Sequence, residues 1–155
     1  MIRSQRKLGE ILVKKGLISD DKLKEALNEQ ARTKEFLGAI LIKKRQIKEH
    51  DLLSVLSEQF GMPVVSLQNK YIDWDVARSF SASLILDYKC MPFQRNDSSV
   101  TIAITNPLDA WVLKKAEEEA RGLEIKFVLV SQEDINEALS RYQKYMRWGI
   151  SKWFR

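Results

Sequence analysis

The sequence predicts an α+β protein, with an N-terminal tandem helical-hairpin subdomain followed by a small α/β subdomain. Three observations predict it. Residues 7–30 recur as residues 36–59, and both copies carry helical apolar spacing. Beyond residue 60 the pattern changes to short alternating apolar runs separated by turn residues. The charge changes with it: residues 1–60 hold 13 Lys+Arg against 9 Asp+Glu, residues 61–140 hold 8 against 12, and residues 141–155 hold 5 against none. A basic front, an acidic middle and a basic tail suggest separate modules and an anionic partner at one end or both.

The repeat comes first in the chain. "KLGEILVKKGLISDDKLKEALNEQ" and "FLGAILIKKRQIKEHDLLSVLSEQ" are identical at 11 of 24 aligned positions. The shared residues include Leu8/Leu37, Gly9/Gly38, Lys15/Lys44, Leu23/Leu52, Leu27/Leu56, Glu29/Glu58 and Gln30/Gln59. Leu8, Ile11, Leu12 and Lys15 fall at i, i+3, i+4 and i+7, one face of a helix. Gly16 is a helix stop. Ser19 is the cap of a second helix, with Asp20 and Asp21 favourable in its first turn. The second copy has weaker punctuation, with Arg45 in place of Gly16 and Lys48 in place of Ser19. Each copy therefore reads as a helical hairpin whose leucine faces are buried by packing. Two features ask for more than packing. Gly9 and Gly38 interrupt a helical pattern, where glycine costs about 1 kcal/mol against alanine, and they suit a ligand approaching backbone N–H groups near a helix N-terminus. Gln30 and Gln59 recur beside apolar positions, where an amide can bond a purine edge or a phosphate.

Downstream, "KCMPFQR" and "SVTIAIT" flank the turn cluster "NDSS" and read as a β-hairpin. "LDAWVLKKAEEEAR" is a helix stopped by Gly122. "EIKFVLV" alternates like a strand, and "SQEDINEALSRYQKY" is a helix capped by Ser131. The tail 144–155 is basic and aromatic. Tyr142 and Tyr145 continue the last helix, and Gly149 is expected to interrupt it, leaving Trp153 and Phe154 to pack or hang free. Packing is the simpler reading of these rings. A peripheral contact of residues 141–155 with an anionic inner membrane is the other.

The tandem pattern resembles the MshEN domain, a cyclic-di-GMP-binding module. That family has Arg-Leu-Gly, then Leu, Gly, Ile, Leu, Leu and Gln, twice, with a five-residue spacer matched here by "ARTKE" (Ala31 to Glu35). Residues 61–143 resemble the downstream part of the same family, the second N-terminal subdomain of type II secretion and type IV pilus assembly ATPases of the GspE/PulE group, in which "GMPVVSL" (Gly61 to Leu67) looks like the strand after the repeat. The resemblance implies a non-catalytic regulatory module, cyclic-di-GMP as ligand and no cofactor. It implies a dinucleotide site of Lys7, Leu8, Gly9, Leu23, Leu27, Gln30, Leu37, Gly38, Leu52, Leu56, Gln59 and Asn106. It also implies partners: a secretion or pilus ATPase, or a membrane glycosyltransferase of the NfrB type that makes exopolysaccharide. The alternative is a ligand-free docking adaptor that holds such an ATPase to an inner-membrane platform protein. The chain departs from the family pattern at Lys7 (for Arg), Phe36 (for a basic residue), Arg45 (for Gly) and Asn106 (for Asp before Pro107).

No enzyme chemistry is legible. The sequence contains no Gly-Lys dipeptide, so the phosphate loop of an ATPase is missing. One His and one Cys make no metal cluster. His50 reads as a surface residue and Cys90 as a small core residue. The basic front lacks an aromatic stacking platform, which argues against nucleic acid. No apolar run is long enough to span a membrane and no signal-peptide core is present, so a cytoplasmic location is expected.

Overall fold

The two repeats form the same local structure, for the reasons the spacing supplies. In a computed structural model that describes the backbone of residues 2–153 and the side chains of residues 7–149, α1 (Ile2–Lys14) ends at Gly16, which takes φ of 71°. The equivalent helix of the second copy, α3 (Leu37–Lys43), ends at Arg45 with φ of 55°. The two turns share a bonding pattern: the N–H of Leu17 donates to the carbonyl of Leu12, and that of Gln46 to that of Leu41. Arginine thus occupies a left-handed position that glycine fills without strain in the first copy. Ser19 caps α2 (Asp20–Thr33), its hydroxyl accepting from the N–H of Lys22. Lys48 stands at the start of α4 (Glu49–Phe60) and makes no side-chain cap bond.

The chain divides into two compact units, Met1–Gly61 and Met62–Arg155. In the first, the hairpins interlock. α1 packs on α4, and α2 packs on α3, so the first helix of each repeat meets the second helix of the other. Leu8, Leu12, Leu37, Ile40 and Leu41 are fully buried in that core.

The second unit is a three-stranded sheet, in the order β1-β2-β3, carrying helices. β1 (Met91–Arg95) and β2 (Ser99–Ile104) are the expected hairpin, antiparallel, with a bulge between Pro92 and Gln94. Proline sits where it is tolerated, on an edge strand beside a bulge. The Asn96 side chain organises the turn, its Oδ1 accepting from the N–H groups of Ser98 and Ser99. β2 leads through α7 (Ala110–Ala120) to β3 (Glu124–Leu129), which pairs parallel with β2. Asp109 caps α7, and the helix ends through Arg121 and the expected Gly122, with φ of 52° and 88°. Two short helices, α5 (Trp74–Arg78) and α6 (Ala82–Leu86), precede the sheet. α8 (Gln132–Trp153) closes the unit.

Two expectations need correction. Gly61–Leu67 forms no strand: it makes a single parallel bridge, Val64 to Leu129, because only Pro63 and Val65 reach the edge of β3. The fixing bond is elsewhere, where the buried carboxylate of Asp134 accepts from the N–H of Leu67 at 2.8 Å. Gly149 does not interrupt α8, which runs through it to Trp153. One exposed glycine costs about 1 kcal/mol, too little to end a helix of six turns. The side chain of Trp153, and Phe154 altogether, lie outside the described residues. Tyr142 is core, packed with Ile135, Ala138 and Leu139 along one stripe of α8. No described helix is long and apolar enough to cross a membrane.

Candidate functional site

The paired glycines and leucines explain each other. A Cβ on Gly9 would lie 2.5 Å from Cδ1 of Leu23, and a Cβ on Gly38 would lie 2.7 Å from Cδ2 of Leu52. Each glycine therefore admits a leucine from the second helix of its own repeat. The position of Gly9 differs from the expectation. It is mid-helix in α1, where its N–H belongs to the helical ladder and offers nothing to a ligand from the helix end. Gly38, the second residue of α3, keeps the expected position near a helix start.

The remaining expected site residues divide by accessibility. Leu8 and Leu37 are fully buried, and Leu52 and Leu56 are buried on α4. Their counterparts Leu23 and Leu27 on α2 are half-exposed, and Lys7 is exposed. The first repeat thus presents more of its leucine face to solvent than the second. The glutamines diverge too. The Gln30 amide donates to the backbone carbonyl of Glu35 at 3.1 Å. The Gln59 Oε1 is buried and accepts no hydrogen bond, and so is the Oε1 of Gln46, whose counterpart in the first repeat is Leu17. An unsatisfied buried acceptor is costly, and a ligand donor would remove that cost. Asn106 belongs to the second unit. Its Oδ1 accepts from the N–H of Leu108 at 2.9 Å, so its one side-chain carbonyl already holds the turn into α7.

Sequence reasoning missed the electrostatic frame. Lys15 on the α1–α2 turn pairs with Glu58 on α4, and Lys44 on the α3–α4 turn pairs with Glu29 on α2. The hydrogen bond from Lys44 holds the Glu29 carboxyl below the ordinary carboxylate value of 4.5. The signal was present, since all four residues are among the identities of the repeat, but spacing alone does not say which Lys meets which Glu. The two ion pairs and the two Leu-on-Gly contacts are each related by the same exchange of repeats. The unit has approximate two-fold internal symmetry.

Residues 60–147 match the MshEN domain family, so the match falls on the second unit. Over 136 residues the chain is 29% identical to the type IV pilus assembly ATPase PilB of Myxococcus xanthus (strain DK1622), covering 88% of this chain and 24% of that protein. The chain thus spans about a quarter of that relative's length. A solved structure of MshE with cdg aligns with a TM-score of 0.80 at 26% identity, over 87% of this chain and 97% of the other. That share is more than the second unit alone contains, so the likeness extends into the helical repeats. The N-terminal domain of XpsE has the same fold, with a TM-score of 0.70 at 17% identity over 87% of this chain and 92% of that one.

Proposed function

The chain belongs to the MshEN domain family, and from that premise we propose that it is a non-catalytic regulatory module that binds cyclic-di-GMP across its two helical repeats. The observation that carries this reading is the internal two-fold symmetry of the first unit. Cyclic-di-GMP has two identical guanylate halves, and a frame with two equivalent half-sites suits it. The MshE structure with cdg, read as cyclic-di-GMP, supports the choice of ligand. The half-exposed Leu23 and Leu27 offer an apolar face for one guanine, and the orphaned Gln59 Oε1, buried in this packing, would become an acceptor for a base N–H in the other half once the packing shifts. Lys7 supplies positive charge without the planar fork of arginine.

The likeness to PilB supports an export or pilus ATPase as the machine under control, either on the same chain or as a partner. Such a module would work in the cytoplasm. Binding would act by favouring one packing of the unit over another, which requires different affinity for the two.

Titration calorimetry of cyclic-di-GMP into the chain tests the proposal. Heat is expected at micromolar protein. Gln30→Ala and Gln59→Ala should each weaken binding by about 0.5–1.5 kcal/mol, the range for a lost neutral hydrogen bond. No heat in the parent, or unchanged affinity in both variants, would remove the site from the repeats.

A further inference from the structure

α8 carries two stripes with the same i, i+3, i+4, i+7 spacing. Ile135, Ala138, Leu139 and Tyr142 face the core and are buried. Arg141, Lys144, Tyr145 and Trp148 form the second stripe, which packing of the unit leaves on the surface. It is built onto a rigid support. Trp74 stacks on Tyr145, with ring centroids 5.1 Å apart and planes 14° from parallel. The Arg141 guanidinium lies 5.8 Å from the Trp74 ring centroid and donates through both Nη1 and Nη2 to the carbonyl of Lys70. The segment 70–74 is therefore fastened along α8, and it adds Tyr71, 78% exposed, to Trp148, 71% exposed.

The face is cationic from Arg141 onward, and the exposed Glu137, one turn before Arg141, is the acid at its N-terminal end. Lys144 lies within the stripe, Lys70 and Arg147 directly precede Tyr71 and Trp148 in the chain, and residues 141–155 contain no Asp or Glu. The nearest acids in the fastened segment are engaged: Asp73 caps α5, and Asp75 pairs with Arg78. The other exposed tryptophan, Trp111, sits on α7 with Lys114 5.9 Å from its ring centroid, but the acid run Glu117–Glu119 follows on the same helix.

We infer that this stripe of α8, with Tyr71, is a docking surface for an anionic phospholipid bilayer, on which the aromatic rings enter the headgroup layer and the cations meet lipid phosphates. Tyr and Trp are enriched at that depth of a membrane, and Lys and Arg beside them are drawn to anionic headgroups. Lysine is depleted in the cores of protein interfaces, so rings interleaved with lysines suit lipid better than an acidic protein. The inference is independent of nucleotide binding, since every residue in it lies in the second unit.

Co-sedimentation of the whole chain with vesicles tests it. The parent should bind vesicles of equal parts phosphatidylserine and phosphatidylcholine, and should leave them as salt rises from about 0.05 to 0.5 M, where screening shortens the reach of the charges. It should ignore vesicles of phosphatidylcholine alone. Lys144→Ser should lower partitioning about fivefold, the loss expected for one surface cation. Trp148→Ser should lower it severalfold, and Trp111→Ser should leave it unchanged. Both altered residues of the stripe are exposed, so far-UV circular dichroism and Tm should match the parent. Failure of the parent to bind anionic vesicles would overturn the inference, as would binding that neither Trp148→Ser nor Lys144→Ser changes. Capture by immobilised polyglutamate without vesicle binding would assign the face to an acidic protein instead.

Discussion

Lys15 on the first repeat holds Glu58 on the last helix of the second, with Nζ 2.8 Å from the carboxylate. The same exchange pairs Lys44 with Glu29 in the opposite direction. The repeats are thus tied crosswise, and each lysine fixes the position of the other repeat's final helix. That helix carries the glutamine next to the paired glutamate: Gln59 follows Glu58, and Gln30 follows Glu29.

Breaking one of these pairs should weaken the fold in a pH-dependent way. The folded state holds Glu29 ionised below its ordinary value of 4.5, so folding is favoured by the ionised form. That contribution is present above the unfolded value and fades as pH falls through the folded one. Lys44→Met should therefore show a small loss of Tm at neutral pH, and the gap to the parent should close in acid. Thermal melts from neutral pH down through the carboxylate range check this. A gap that stays constant across that range would show that the ion pair is not its source.

Alanine at the two packed glycines should destabilise, despite the better helix propensity of alanine. The added Cβ at Gly9 or Gly38 meets a leucine methyl at under 3 Å. Overpacking costs about 1–3 kcal/mol, against about 1 kcal/mol gained from propensity. Gly149→Ala has open space around it and should stabilise by about 0.5–1 kcal/mol. Urea unfolding of the three variants measures the contrast. Leu23→Val should recover part of the loss in Gly9→Ala, since it withdraws the methyl that the new Cβ strikes.

Gln59→Met should separate stability from binding. The substitution removes a buried acceptor that has no partner, and it keeps the volume. Stability should rise by about 1 kcal/mol, while affinity for cyclic-di-GMP falls about two- to twelvefold. Chemical denaturation and calorimetry on one preparation give both numbers. A variant that is less stable than the parent would mean that Oε1 has a partner in solution.

Asp134→Ala should be among the more damaging changes at a buried polar residue in the second unit. Its carboxylate is buried, and it receives the N–H of Leu67, which has no ladder to join. Losing a charged acceptor and orphaning that N–H should cost about 1.5–3 kcal/mol. Asp134→Asn keeps an oxygen acceptor and should cost less. Equilibrium unfolding ranks the two.

Cys90 should report global unfolding. Its thiol is fully buried, and burial, with a smaller contribution from Glu119, pushes its pKa up to about 12. At neutral pH the folded chain carries almost no thiolate at that site. Disulfide reagents should label Cys90 only as fast as the unit opens. Lys44→Met, which acts in the other unit, should leave the labelling rate unchanged if the two units unfold separately.

Much of the fold was legible because it is local. The helical spacing of Leu8, Ile11 and Leu12, the Ser19 cap, the turn at Asn96 and the Ser131 start of α8 depend on residues within one or two turns of each other. Periodicity and capping rules read such features directly. The repeat was legible for the same reason, as was the list of residues it shares. Gly149 misled because a glycine's propensity is a small local term, and a long helix with a buried stripe overrides it.

What the sequence by itself determined was therefore the inventory: two helical hairpins, a β-hairpin, a crossover helix and a long last helix, with Gly9, Gly38, Gln30 and Gln59 in matching places. What only the tertiary structure decided was which of these meet. Leu23 seats on Gly9 and Lys15 reaches Glu58 because the hairpins interlock, first helix against opposite second helix. The Gln59 Oε1 is orphaned while the Gln30 amide is bonded, although the two residues hold equivalent positions in the repeat. Trp74 and Tyr145, 71 positions apart, become one stacked support. Contacts of that kind depend on how elements pack in three dimensions, and burial and partner choice follow from packing rather than from the order of residues along the chain.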